Sequence, residues 1–370
     1  NQKRIVCSMK KKNLILYIII LTIYAYEFSK TQQLIIAYNN YHTALQYGGV
    51  VVLGFGFLLF YFSRKIFTSI SSRKAILMFF NVSYTLGMVY MIFVPEKPLV
   101  TGIVMLSLGY LGGMVYYYIA AALGRTRYVG RVAMTGQILS VLMQMFFSEN
   151  ADKRIVVIIV LIVGFVTVTY LMLFPPADWM FEEMLPYAKE SVKWNNEIRN
   201  RLISLLFIVV FADIFGCMME ITWTTAWEAG SVDMYTYPRL FMIAGHLIAG
   251  FFADFKRHKY LDTSLIIMLG LGFLGMNMSD HQIARLCMFY TFAGFIILYM
   301  NIKFWHLAPY TKTPEIWASF GRIMYVLEGF LSELFIYVFS DELFYRSMAL
   351  WVFFAVVVFF VIKEAPYKSL

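Results

Sequence analysis

Long apolar stretches alternate with short polar loops along the whole chain. A transmembrane helix needs about 20 mostly apolar residues, and twelve stretches approach or exceed that length. The pattern therefore predicts an all-α integral membrane protein with twelve transmembrane helices, which we number as spans one to twelve. The predicted spans are Leu14–Phe28, Ala44–Phe62, Ala75–Val94, Leu99–Leu123, Val132–Phe147, Ile155–Phe174, Leu202–Trp227, Met234–Phe252, Leu261–Met278, Ile283–Trp305, Ile316–Phe339 and Ser347–Ile362.

The longest connection lies midway along the chain, between spans six and seven. It mixes charged residues with periodically spaced apolar ones, which is typical of an amphipathic helix at the membrane interface. This connection separates six spans from six spans. We therefore predict a six-helix bundle over residues 1–175, a cytoplasmic amphipathic linker over 176–200 and a second six-helix bundle over 201–370.

Basic residues concentrate on one side of the predicted membrane. Of the 31 Lys and Arg residues, 23 lie at the termini or in the loops after even-numbered spans, seven lie on the other side, and Arg322 lies within a span. Cytoplasmic loops carry the Lys/Arg excess, so both termini should be cytoplasmic in a multi-pass protein of the inner (plasma) membrane. The net charge of +9 is better explained by this orientation and by contact with anionic membrane lipid than by nucleic-acid binding.

Composition supports a membrane protein and argues against an enzyme. Apolar residues form 61% of the chain and charged residues 14%, whereas soluble domains average about 25% charged residues. Cys7, Cys217 and Cys287 fit no metal-binding spacing, and the sequence shows no Ser/His/Asp set or phosphate-binding loop. We predict neither metal nor cofactor. The first apolar run lacks a small-residue cleavage site and should be a span; a chain that begins with Asn rather than Met leaves trimming of a longer protein open.

The loop between spans eight and nine carries a local motif. Residues Gly250 to Lys259 read GFFADFKRHK, which resembles the Gly-x-Leu-Ala-Asp-x-x-Gly-Arg-Lys loop of the major facilitator superfamily. Gly250, Ala253, Asp254 and Lys259 match, whereas Phe252, Arg257 and His258 depart. The arrangement of six plus six spans with a central linker also resembles this superfamily. The resemblance implies two helical bundles that transport a solute between them.

This motif suggests a gating role for Gly250 and Asp254. A glycine lets the end of a helix approach its neighbour closely, and Asp254 can contact the N-terminus of a helix and nearby basic residues. Such a contact would hold one conformation closed. The equivalent loop in the first half keeps Gly56, Arg64 and Lys74 but lacks the aspartate, so the resemblance does not extend to a contact of this kind there.

Ionisable residues inside the spans are distributed unevenly. Each costs several kcal/mol in the membrane and usually faces a cavity or a partner. Spans three, six, nine and twelve, which are peripheral in the superfamily, contain no interior Asp, Glu, Lys or Arg. The interior residues lie on spans seven, eight, ten and eleven, which line the cavity in the superfamily: Asp213, Glu220, Arg239, His246, Lys303, Arg322, Glu328 and Glu333.

Carboxylates are the first candidates for a proton site. Asp213 and Glu220 are seven residues apart on one face of span seven, and Glu328 lies at mid-depth on span eleven. Asp213 or Glu328 would take up and release a proton in each cycle; the alternative is a buried ion pair with Arg322 or another basic residue. His246 suits a proton carrier and a packing histidine equally well. Lys303 could equally extend its ammonium group to the interface.

The first half offers amides and tyrosines. Gln137 and Gln144 share a face of span five, and Tyr117 belongs to a run of three tyrosines on span four. Aromatic and amide groups on one side with ions on the other suit a small organic solute that has polar and apolar parts. The predicted solute and proton site is Asp213, Glu220, His246, Glu328, Arg322, Gln137, Gln144 and Tyr117.

Two functions compete on this sequence. The first is a monomeric secondary transporter, symporter or antiporter, that moves a small solute by alternating access and is coupled to protons. The alternative is the membrane ligand-sensing domain of a larger signalling or transcription regulator, since some bacterial regulators resemble this fold fused to a helix-turn-helix. The chain itself shows no such DNA-binding motif.

Overall fold

The structure is a computed structural model that describes residues 11–38, 43–94, 97–124, 126, 128–148, 154–175, 196–228, 237–255, 260–276, 282–324 and 343–364. These residues form twelve α-helices. The first half contains α1 Lys11–Tyr38, α2 Thr43–Ile66, α3 Ile70–Phe93, α4 Pro98–Leu123, α5 Val129–Ser148 and α6 Arg154–Leu173. The second contains α7 Asn196–Glu228, α8 Phe241–Asp254, α9 Leu261–Met276, α10 Gln282–Leu307, α11 over residues 314–324 and α12 Leu343–Glu364.

Each half packs around one central helix. In the first half α4 contacts α1, α2 and α3, while in the second half α10 contacts α7, α8 and α9. The halves meet where α5 packs on α8 and where α4 and α5 pack on α10. The fold is therefore the predicted one of two helical bundles joined along an interface.

Glycines set the close approach of helices within each half. A Cβ on Gly109 of α4 would lie 2.1 Å from the Leu53 carbonyl oxygen of α2, and a Cβ on Gly245 of α8 would lie 2.0 Å from the Thr291 carbonyl oxygen of α10. No side chain fits at those distances, so the backbones touch there. These contacts fix the depth at which the aromatic residues of α4 and α10 face the other half.

Six of the described helices are long and apolar enough to cross a membrane: segments Leu14–Ile35, Gly48–Ile66, Ile70–Phe93, Pro98–Leu123, Arg154–Leu173 and Ile283–Tyr310. Their outward side chains are apolar; Phe79, Leu86 and Ile155 are examples with large exposed surfaces. A membrane supplies the apolar surroundings that such surfaces require. The chain is a multi-pass membrane protein.

The helix boundaries differ most from the predicted spans at three places. The helix α1 continues ten residues beyond Phe28, because Thr31 is buried and its hydroxyl contacts Tyr84 of α3 at 3.2 Å. The helix α7 begins at Asn196, inside the predicted linker, and residues 176–195 lie outside the described part of the chain. The α-helix α8 begins only at Phe241, since Pro238 lies in the 3₁₀ turn before it.

Candidate functional site

The three consecutive tyrosines of α4 place rings in different directions because successive residues of a helix are about 100° apart. All three are buried. Tyr116 faces the second half, and its hydroxyl accepts a hydrogen bond of 2.8 Å from Nε of Arg322 on α11. Tyr117 faces α2, where its hydroxyl lies 3.3 Å from an Nη atom of Arg64. The run therefore contributes to two separate contacts between elements.

Around Tyr116 lies a buried group that we call the central cluster, formed by Tyr24, Phe28, Phe57, Tyr116, Trp305 and Arg322. The ring centroids of Tyr24 and Trp305 lie 5.4 and 5.6 Å from that of Tyr116. The Arg322 guanidinium lies 4.9 Å from the ring of Phe28. Five helices from both halves thus meet at one cation surrounded by aromatic rings.

Several buried polar atoms in and near the centre have no hydrogen-bond partner of good geometry within the described residues. They are the Tyr24 hydroxyl, the Trp305 indole nitrogen and the Gln137 and Asn301 amide nitrogens. Buried polar groups of folded proteins are normally paired, and leaving one unpaired costs about 1–3 kcal/mol. Such groups can donate hydrogen bonds to a polar solute held between aromatic rings.

The helix ends that meet at one end of the bundle define what we call the basic face, where α2, α4, α8 and α10 end and α5 and α11 begin. Asp254, the last residue of α8, accepts hydrogen bonds from the backbone N–H groups of Gly130 at 2.8 Å and Arg131 at 3.2 Å. Arg131 Nε also lies 2.9 Å from the carboxylate. The structure thus shows the helix N-terminus and the basic residue that the sequence led us to expect beside Asp254. We call this contact the α5–α8 latch.

Gly250 and Gly130 allow the latch to form at backbone distance. A Cβ on Gly130 would lie 2.4 Å from the Gly250 carbonyl oxygen, and a Cβ on Gly250 would lie 2.5 Å from Cβ of Met134. Any larger residue at either position must push α5 and α8 apart. Gly250 therefore has the close-packing function predicted for it, while its role in gating stays a prediction.

Replacing Gly130 by Ala should separate α5 from α8 because the neighbouring atom belongs to the backbone and cannot move cheaply. We expect the unfolding temperature of the purified protein to fall by about 1–3 °C, as a loss of 1–2 kcal/mol would produce in a chain of this length. Gly102→Ala is the matched control, since nothing lies within 4 Å of a Cβ there and Ala favours the helix. Equal unfolding temperatures for the two variants would contradict the tight contact.

A second contact joins the halves on the basic face, between α2 and α11. Arg64 Nε lies 3.3 Å from a carboxylate oxygen of Glu315, and both side chains are buried. The guanidinium also lies 4.7 Å from the ring centroid of Tyr117. Arg73 donates hydrogen bonds to the carbonyl oxygens of Arg64 and Phe67, which fixes the end of α2. We call this the α2–α11 contact.

A third contact joins α4 to α10 on the same face. The Gly124 carbonyl oxygen lies 2.8 Å from Nδ1 of His306, and a Cβ on Gly124 would lie 2.2 Å from the Trp305 carbonyl oxygen. Together with the α5–α8 latch and the α2–α11 contact, this contact joins the halves at the ends of three helix pairs. The basic face is closed in this conformation.

Gln144, which shares a face of α5 with Gln137, contacts the other half of the molecule. Its side-chain oxygen accepts a hydrogen bond from Arg239 at the start of the 3₁₀–α8 segment, and its amide nitrogen donates to Ser140. Arg239 bridges the second half to the first through this bond. Gln144 thus holds α5 against α8 at the end opposite to Asp254.

Lys303 is held inside the second half. Its ammonium group lies 2.9 Å from Asp262 in the first turn of α9, and the Tyr299 hydroxyl donates a hydrogen bond of 2.8 Å to the same carboxylate. Asp262 is buried. The pair joins α9 to α10 and lies apart from the central cluster.

The remaining predicted residues fall into two groups. Arg322, His246 and Gln137 are buried on α11, α8 and α5, three helices that contact or face the opposite half. Asp213 and Glu220 lie on α7, but their side chains are outside the described ones, and Glu328 lies outside the described residues altogether. The acidic part of the predicted site stays a prediction.

Glu27 is a buried carboxyl group in the first half. A Cβ on Gly164 of α6 would lie 2.3 Å from one of its carboxylate oxygens, so the side chain packs against α6. No ion pair of Glu27 occurs within the described part of the chain. Burial without a cation is costly for a carboxylate, which makes Glu27 a second candidate for carrying a proton.

No protein-family model matches the chain, and no curated protein matches its sequence. Its structure is similar to solved structures. The proton:xylose symporter XylE bound to 6-bromo-6-deoxy-D-glucose matches with a TM-score of 0.64 at 12% identity, covering 96% of this chain and 95% of that one. The transporter FucP in an outward conformation matches with a TM-score of 0.63 at 13% identity, covering 97% and 99%. A second structure of FucP, the Escherichia coli fucose:proton symporter, gives 0.64 at 13% identity, covering 97% and 98%.

These likenesses extend over nearly the whole length of each chain. The chain has the fold of the major facilitator superfamily, as the sequence resemblance implied.

Proposed function

We propose that the chain is a secondary transporter that moves a small organic solute by alternating access and is coupled to protons. The observation that carries the proposal is the central cluster, where unpaired polar groups and one cation lie between two halves that are joined by separable contacts at their ends. Such contacts suit a rocking motion of rigid bundles about a central site. The similar structures of sugar:proton symporters support the same class of function.

In this proposal the solute lies against Tyr116 and Trp305, with Arg322 beside it. Gln137, His246 and Asn301 supply further hydrogen-bonding groups, and Asp213, Glu220 or Glu328 carries the proton. Aromatic rings with a few polar groups suit a solute of mixed polarity. Xylose and fucose, which the similar proteins transport with protons, are the first solutes to test.

A thermal-shift screen of the purified protein against sugars and other small polar solutes tests the site. A ligand that binds the folded state raises the unfolding temperature in a concentration-dependent way. The central site predicts that Trp305→Phe, which removes the indole N–H and leaves a smaller ring, weakens this shift, while Trp351→Phe on the exposed face of α12 leaves it unchanged. Equal shifts for both variants would contradict a solute site at Trp305.

The orientation follows from charge. We infer that the basic face is cytoplasmic and that the protein lies in the inner membrane. Cysteines placed at Asn150, Ser231 and Ser340 should react with an impermeant maleimide from outside intact cells, and one at Ser71 should react only after permeabilisation. The reverse labelling pattern would overturn the orientation.

Asp254 sets the balance between the two conformations in this proposal. The substitution Asp254→Asn should weaken the α5–α8 latch, because an amide cannot pair with Arg131 as a carboxylate does. We expect a shift of about 1–2 kcal/mol toward the state with an open basic face, which is the size of a partly buried charge effect at a helix end. Solute affinity for each state should change little.

The shift is measured from the rate at which a maleimide labels the cysteine of Met134→Cys in inverted vesicles. Met134 is suitable because it packs against Gly250 between α5 and α8. The rate should rise about five- to thirtyfold, the factor that corresponds to 1–2 kcal/mol. Asp280→Asn, in a loop predicted on the other side, serves as the control. An unchanged rate in Asp254→Asn would remove the gating role of this residue.

A further inference from the structure

The α5–α8 latch and the α2–α11 contact occupy equivalent positions in the two halves. We call the interface between the two helices at each of these contacts a seam. Each seam joins the second helix of one half to the fifth helix of the other, since α8 meets α5 and α2 meets α11. In both, a side chain near the end of the second helix contacts the first turn of the fifth helix. Arg64 of α2 thus corresponds to Asp254 of α8, and Glu315 of α11 corresponds to Arg131 of α5.

The signs of the two charge pairs are opposite. In the α5–α8 latch the carboxylate belongs to the second helix and the guanidinium to the fifth. In the α2–α11 contact the guanidinium belongs to the second helix and the carboxylate to the fifth. The aspartate that is absent from the first-half loop is therefore replaced by an arginine that meets an acid on α11.

The inverted arrangement suits the helix ends that carry it. Arg64 lies in the last turn of α2, where the helix dipole favours a cation, and Glu315 lies in the first turn of α11, where it favours an anion. Asp254 has the opposite relation to its own helix, because it ends α8. Its charge is stabilised by the N–H groups of Gly130 and Arg131 instead.

The α2–α11 pair is also the more buried of the two. The side chains of Arg64 and Glu315 are 5% and 9% exposed, whereas Arg131 is 63% exposed beside Asp254. Removing one member of a buried pair leaves the other charge without its counter-ion and out of water. Opening the basic face returns that charge to water, so loss of either member should favour the open state.

We propose that Arg64 and Glu315 form a second latch of inverted charge, which holds the α2–α11 seam closed. Tyr117 supports the guanidinium through its hydroxyl and its ring face, and Arg73 positions the end of α2. The proposal rests on the proposed function in one respect, which is that the two halves rock. It assigns a positioning role to this pair in addition to that of Asp254, the acid of the superfamily motif.

The test measures the width of the seam by electron-spin distance measurements. Spin labels are attached to Phe67→Cys and Lys312→Cys, both exposed near the seam, in a protein whose Cys7, Cys217 and Cys287 are replaced by Ser. Three forms are compared with the parent: Glu315→Gln, the charge swap Arg64→Glu with Glu315→Arg, and the control Lys65→Gln. Lys65 is the exposed neighbour of Arg64.

We expect Glu315→Gln to increase the ratio of long to short distances at least about fivefold, the effect of about 1 kcal/mol on a two-state equilibrium. The swap should return the ratio to within about twofold of the parent, and Lys65→Gln should leave it unchanged. A parent-like distribution for Glu315→Gln, or a swap as open as Glu315→Gln, overturns the proposal.

A variant that lacks both charges covers the case in which the charge-swapped protein does not fold. Arg64→Gln with Glu315→Gln should open the seam less than the two single changes predict together, because coupled residues are non-additive; an additive result also overturns the latch. Glu315→Gln combined with Asp254→Asn separates this failure from that of the proposed function. If even this variant shows only short distances, the halves do not rock; if it opens while Glu315→Gln alone does not, only the second latch is wrong.

Discussion

Asp213→Asn is expected to abolish accumulation of the solute against its gradient while solute exchange across the membrane continues. We propose that Asp213, with Glu220 on the same face of α7 and Glu328 on the eleventh span, forms the acidic side of the centre opposite the amides. Three carboxyl groups in one low-dielectric space repel when charged, so one of them binds a proton readily. An amide at position 213 cannot take up and release that proton, and coupling to the proton gradient is lost.

The measurement uses proteoliposomes with an imposed pH gradient for accumulation, and equal solute on both sides for exchange. Glu27→Gln tests the competing candidate, because Glu27 is also buried but packs against Gly164 of α6 inside the first half. It should keep both activities. Full accumulation in Asp213→Asn would contradict the acidic site on α7. Loss of accumulation in Glu27→Gln alone would move the proton to the first half.

Arg322→Gln is expected to lower solute transport by about two orders of magnitude or more, which corresponds to about 3 kcal/mol. Arg322 donates to Tyr116 across the interface and lies over the ring of Phe28, so its removal takes away a buried cation and a contact between the halves. A glutamine can replace one hydrogen bond but neither the charge nor the contact with the ring.

Two further variants identify which part of Arg322 matters. Arg322→Lys keeps the charge and loses the planar group that donates to Tyr116, so it should fall between the parent and Arg322→Gln. Tyr116→Phe removes only the hydroxyl that accepts this bond and should have a smaller effect. Lys97→Gln, at an exposed residue outside the bundle, is the charge control. Transport in Arg322→Gln equal to that of Lys97→Gln would remove Arg322 from the site.

The fold was predictable because each membrane-spanning helix corresponds to one continuous run of mostly apolar residues in the sequence. Twelve runs and a mid-chain break are sufficient to predict two bundles. The exceptions have local causes. The helix α1 continues through Ser29 to Gln33, where a hydropathy pattern ends, because Thr31 is buried against Tyr84 and Met88. Polar residues satisfied by another helix cannot be distinguished from a loop in a single sequence.

The site was predictable only in part. Arg322 and His246 could be selected because ionisable groups in apolar runs are rare, and Asp254 could be selected from its motif. The partners could not be predicted, since they depend on which helix faces which. Nothing in the sequence joins Arg64 to Glu315, 251 residues apart, or Gln144 to Arg239. Glu315 and Trp305 were missed because a first-turn acid and a buried tryptophan are common in purely structural roles.

Counterflow in proteoliposomes tests the central claim most directly. Vesicles are loaded with a high concentration of the solute that gives the largest thermal shift, and entry of the same solute in labelled form is followed. Our account predicts transient accumulation of label in vesicles with the protein and none in protein-free vesicles. A solute that binds and stabilises the protein but never crosses the membrane would contradict a transporter and would indicate a ligand sensor built on this fold.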